Sequence, residues 1–95
     1  AWLGPGLGEK LDTPEVLRRN GIRYLHDWLL DDEPLWMSTA DGPLVSLPYT
    51  VELNDVPAYL LANQPSDALT TRARTTMACF ARTGFDRTRV LTLAL

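Results

Sequence analysis

The chain has 95 residues, a mass of 10.6 kDa and a formal net charge of −3, with 45% hydrophobic and 22% charged residues. These values exclude wholesale disorder, collagen-like sequence and low-complexity tracts, and they hold the chain to one small domain or a piece of one. No apolar run approaches the roughly 20 residues that span a bilayer, and the single cysteine, Cys79, can form neither an internal disulfide nor a Cys-type zinc site.

Near its start the chain reads Trp2-Leu3-Gly4-Pro5-Gly6, and the Gly-Pro-Gly string signals a turn. A helix is expected next. Asp12 or Thr13 can cap it, Pro14 suits its first turn and Glu15 favours the positive end of its dipole. Arg18 and Arg19 lie near the negative end, and Gly21 suits a left-handed stop. Residues 22–25 then read as a short strand. The stretch 26–64 is too long for a plain connector. It carries Asp31-Asp32-Glu33-Pro34, a short strand or extended piece, Asp41-Gly42-Pro43, a strand over 44–47, and a short helix from Asn54 or Asp55 to Leu61. Beyond it, Leu69, Ala73, Thr76, Met77, Phe80 and Ala81 recur at helical spacing, with Cys79 expected as an inert core residue. Gly84 ends that helix. The nearly unbroken apolar run over 89–95 reads as a strand buried on both faces.

Helix, glycine, strand, occurring twice, is the αβ half of a βαβ unit and implies parallel strands with outer helices. So few strands cannot close a barrel, and the chain begins and ends on apolar segments. The expectation is therefore that 1–95 is a fragment of a single α/β barrel domain. Such a piece should be marginally stable and self-associating, a homo-oligomer, because its apolar strand and sheet edges lack cover.

Charge is uneven. Residues 1–55 hold ten acids and four bases, whereas 56–95 hold two acids and five arginines. Those arginines are spread along a helix without interleaved aromatics, which argues against nucleic acid. No nucleophile elbow, phosphate loop, dinucleotide fingerprint or zinc-protease motif occurs. His26 stands beside Asp27, with Asp31 and Asp32 close behind; the set reads as a strand-end histidine next to a solvated acidic turn or, alternatively, as a metal site. Strand ends line the mouth of an α/β barrel. One of Asp27, Asp31 and Asp32 could point into a pocket, as could Glu52, Asn54 or Asp55, for which helix capping is the rival role. Trp2, Trp28 and Trp36 read as core packing or as rings that stack on a sugar or a heterocycle.

Taken in order, Trp2-Leu3-Gly4-Pro5-Gly6-Leu7, Thr13-Pro14, Asn20-Gly21-Ile22-Arg23-Tyr24, Asp27-Trp28, Asp31-Asp32 and Pro34 resemble the polysaccharide deacetylase (NodB-homology) family. Gly42-Pro43-Leu44, Pro48-Tyr49 and Glu52-Leu53-Asn54-Asp55 extend the likeness over nearly the whole chain. It leans toward the branch with allantoinase-like proteins, cyclic imide hydrolases and peptidoglycan deacetylases. The resemblance implies a partial (β/α) barrel and a hydrolase of carbon–nitrogen bonds other than peptide bonds. Such an enzyme deacetylates an amino sugar or opens a cyclic amide or ureide, in carbohydrate or nitrogen metabolism. It implies a divalent, zinc-like metal in full-length members, held by an aspartate and two histidines from motifs that this chain lacks. Asp27 would then orient a catalytic neighbour. Trp2, Gly4, Pro5, Gly6, Trp28, Asp31, Asp32, Glu52, Asn54 and Asp55 would line the substrate pocket, with no metal ligand and no cofactor in this chain. The isolated chain is expected to be inactive, with a small-molecule or saccharide ligand, no nucleic acid and no membrane. No signal peptide is visible, so a cytoplasmic location is expected. The rival function is a catalytically inactive module that keeps the pocket wall and binds a saccharide or a partner.

Overall fold

The structure, a computed structural model, describes residues 1–84 and 86–95. It divides into two compact units, Ala1–Tyr49 and Thr50–Leu95.

The first unit is built around helix α1, Thr13–Arg19, and three short strands: β1, Tyr24–Leu25; β2, Leu35–Met37; and β3, Leu44–Ser46. The helix forms where its sequence signals stand. Pro14 occupies its first turn, Glu15 lies at the positive end, and Arg18 and Arg19 at the negative end. Neither expected cap bonds the helix through its side chain: Asp12 makes no capping bond, and Thr13 Oγ1 accepts from Lys10 N–H at 3.1 Å. The C-terminal end closes as a Schellman motif. Gly21, at φ 82°, donates to Arg18 O at 3.0 Å, and Ile22 N–H donates to Leu17 O at 3.0 Å. Pro14 and Leu17, three residues apart, are the helix's buried face.

Strand order is β1-β3-β2, with β1 parallel and β2 antiparallel to β3. The sheet is therefore mixed, where parallel strands alone were expected, and the unit is a small mixed α/β structure. Connection length decides the direction. Only residues 38–43 join β2 to β3, too few for a crossover, so the pair is a hairpin. β1 reaches β3 through 26–43, long enough to run parallel. Pleating sorts the side chains. Leu25 and Leu44 are fully buried on one face, with Ser46 beside them. Tyr24, Val45 and Trp36 stand in one cross-strand row on the other face. Exposure is 77% at Trp36 and 39% at Trp2, so neither ring is core packing.

The second unit holds a 3-10 turn, Val51–Leu53, a π-helical segment, Val56–Leu61, and helix α2, Ala68–Thr83. Its buried apolar residues are Leu53, Ala58 and Leu69. The segment 89–95 is not a strand. It makes a single bridge, Ala94 to Asn54, with Ala94 N–H on Leu53 O at 3.0 Å and Asp55 N–H on Ala94 O at 3.1 Å. The chain on either side of Asn54 is turn and π-helix, which offer no run of extended backbone for a longer ladder. Asn54 itself is extended (φ −112°, ψ 134°), and the groups that bond Ala94 are the Leu53 carbonyl and the Asp55 N–H on either side of it. Residues 90–95 are accordingly half-buried or exposed rather than covered on both faces. Helix α2 likewise buries only Leu69. Met77 is 55% exposed and Cys79 is exposed, not core, because Thr71, Thr75, Thr76 and the arginines break the apolar stripe. No helix among the described residues is long and apolar enough to cross a membrane.

Candidate functional site

The first unit brings two distant strings together. Trp2 bridges Leu25 in parallel register, through Trp2 N–H to Tyr24 O at 2.9 Å and His26 N–H to Trp2 O at 3.1 Å. Two residues further on along both chains, Gly4 meets Asp27. The Gly4 N–H donates to Asp27 Oδ1 at 2.6 Å, and Asp27 is 8% exposed. A Cβ on Gly4 would lie 2.8 Å from Asp27 Oδ2 and 2.9 Å from Gly8 O, so glycine is the residue that permits this approach.

The chain then turns at Pro5–Leu7, with Gly6 at φ 63° and Leu7 at φ 58°. A leucine in this region costs about 1–2 kcal/mol. The turn returns Glu9 to the same place. Trp28 Nε1–H donates to Glu9 Oε2, and a protonated Glu9 carboxyl is placed to hydrogen-bond the Asp27 carboxyl. Trp28 is pinned in turn by Ser46, whose Oγ–H donates to Trp28 O at 3.1 Å. Burial raises the Glu9 pKa to about 7, aided by the hydrogen bond to Asp27 and by its charge, and opposed by the Trp28 indole. Glu9 Oε1 and Asp27 Oδ2 are buried with no other hydrogen-bond partner. One proton held between the two carboxyls would satisfy both. Of the two, Glu9 is the one whose carboxyl holds a proton well above the ordinary carboxylate range.

The remaining residues singled out in the sequence lie elsewhere. Pro5 and Gly6 are exposed on the turn. Asp31 and Asp32 are exposed and line a shallow depression of about 340 Å³ with Leu29, Leu30 and Tyr49, apart from Asp27. Asp31 Oδ1 accepts from Glu33 N–H at 3.2 Å, a local turn bond. His26 keeps Nδ1 buried without a hydrogen-bond partner. Glu52, Asn54 and Asp55 belong to the second unit. Asn54 Oδ1 accepts from Val56 N–H at 2.8 Å, which is the capping role. The Glu52 carbonyl accepts from Arg72 Nη1 at 2.9 Å, and Glu52 borders a depression of about 470 Å³ with Leu53 and the α2 residues Thr71, Arg72, Thr75 and Thr76. Among the described residues no group of three or more His, Cys, Asp or Glu side chains could hold a metal ion.

Glu9 escaped the sequence reading. It lies in a Gly-Glu-Lys string that looks like a solvated turn, and only the pairing of Trp2 with Leu25 brings it to Asp27. In comparisons with known proteins, no family model matches the chain, and no curated protein and no solved structure shows significant similarity to it.

Proposed function

We propose that the chain forms the substrate-pocket wall of a carbon–nitrogen hydrolase of the polysaccharide deacetylase type, acting on an N-acetylated amino sugar or a cyclic amide. What supports this reading is one observation: Gly4 and Asp27, from the first and fourth of the strings that carry the resemblance, are joined by a buried hydrogen bond at 2.6 Å. In this reading Asp27 is a positioning residue. It is too buried to meet substrate and instead holds Gly4 and Glu9 in place. Trp28 turns its indole N–H edge to Glu9, and the face of its ring is the type of surface on which a sugar or an imide stacks. Hydrolysis itself requires a nucleophilic water and a general acid that these residues do not supply, so the chain alone should bind without turning over.

The test is a titration of the 95-residue chain with N-acetylglucosamine oligomers and with succinimide, followed by the Gly4 amide and Trp28 indole NMR signals. Saturable shifts at both groups, with no product formed with or without added zinc, are expected. Absence of shifts with every amide tried overturns the pocket-wall reading. Metal-dependent turnover by the pure chain overturns the assignment of Asp27 to positioning alone.

A further inference from the structure

The outer face of the first unit's sheet carries a second feature, independent of the acidic pair. Arg18, Arg23, Tyr24, Trp36, Pro43 and Val45 line a half-enclosed cleft of about 230 Å³. Its floor is the cross-strand row Tyr24, Val45 and Trp36. Trp36 is 77% and Tyr24 47% exposed, a cost that folding alone does not explain. The two arginines complete the lining. Arg18 is held against the turn by Gly42, whose absent Cβ would lie 3.3 Å from the arginine's Nε. That Nε is buried and has no hydrogen-bond partner.

The charge at this place runs against the rest of the unit. Residues 1–49 hold eight acids and four bases. Arg19 is paired with Asp41 at 2.9 Å, whereas among the described residues neither Arg18 nor Arg23 has a carboxylate partner. Two uncompensated guanidinium groups beside two aromatic rings match a ligand with a negative end and a flat apolar body. A guanidinium fork meets a carboxylate in plane, and the rings take the body by stacking. The volume lies below the roughly 300–1,000 Å³ of drug-sized pockets, leaving room for one ring and its acid group. A polyanion such as nucleic acid is disfavoured, because the eight acids of the same unit repel it.

We propose that this cleft is a binding site for a small planar monoanion of the aromatic carboxylate class. The carboxylate lies between Arg18 and Arg23, and the ring lies on Trp36.

The experiment titrates the 95-residue chain with benzoate and reads the Tyr24 and Val45 amide and Trp36 indole NMR signals. Benzamide supplies the ring without the charge, and acetate the charge without the ring. Saturable binding of benzoate is expected, with benzamide and acetate each weaker by about tenfold or more. Arg23→Gln, at an exposed position outside the helix, should weaken benzoate by about fivefold or more, as should Arg18→Gln and Trp36→Ala. The proposal is overturned if benzamide binds as tightly as benzoate, or if Arg23→Gln leaves benzoate binding unchanged in a chain whose circular dichroism matches the parent. It is equally overturned if an oligo-dT decamer displaces benzoate at equal concentration, since the site would then serve nucleic acid.

Discussion

Gly4 and Gly6 lie two residues apart, and substitution should separate their roles. A Cβ on Gly4 meets Asp27 Oδ2 and Gly8 O, whereas around Gly6 nothing lies within 4 Å and only its φ of 63° is strained. Gly4→Ala should therefore cost about 1–3 kcal/mol, and Gly6→Ala about 1 kcal/mol, in urea denaturation midpoints. Similar losses at both positions would mean that Gly4 is not pressed against Asp27. Glu9 makes a second residue-level prediction. Its pKa of about 7 in the fold lies above its ordinary value of 4.5. The stabilisation this provides is therefore complete below pH 4.5 and is lost progressively as pH rises to 7, where the folded chain must also ionise. Its size is on the order of 1–3 kcal/mol, reduced by the partial exposure of Glu9. Glu9→Gln keeps a donor toward Asp27 at every pH. The variant should gain on the parent between pH 4.5 and 7 and be the more stable at pH 8. Parallel stability curves for the two chains would contradict the shared proton.

At the scale of elements, what the sequence shows is what neighbouring residues decide. Helix α1 needs only Pro14, Glu15, Arg18, Arg19 and Gly21, all within eight residues, and each stands in its expected role. Strand β3 is legible for a similar reason, since 44–47 is a short apolar run between turn residues. The segment 89–95 has the same local appearance, but a strand also needs partners, and among the described residues its ladder is one bridge, Ala94 to Asn54. The acidic pair was half legible. Asp27 stands at a strand end, but Glu9 joins it through a register between Trp2 and Leu25 that no local pattern announces. Packing should outweigh surface pairing in these elements. Leu25→Ala and Leu44→Ala, at fully buried sites, should each cost about 2–5 kcal/mol. Asp41→Asn, which removes the exposed partner of Arg19, should cost less than about 1 kcal/mol. The denaturant midpoints of the three variants check this order.

Over the whole molecule, large apolar side chains remain in water. Leu11 and Leu95 are each 88% exposed, and Leu60 and Leu61 each 72%. Such surface favours association, so sedimentation should show self-association that grows with concentration, with binding of a hydrophobic dye. A monomer at all concentrations that binds no dye would contradict this. The acidic pair joins the sequence strings, the fold of the first unit and the proposed pocket wall, and it can be observed directly. A carbon-13 NMR titration of the Glu9 side-chain carboxyl reads its proton without altering the chain. A midpoint near pH 7, lowered by Asp27→Asn but still above the ordinary value because burial remains, is the predicted result. A Glu9 carboxyl that titrates near 4.5 in the unaltered chain would mean that no proton is shared with Asp27, and the proposed site would lose its chemical centre.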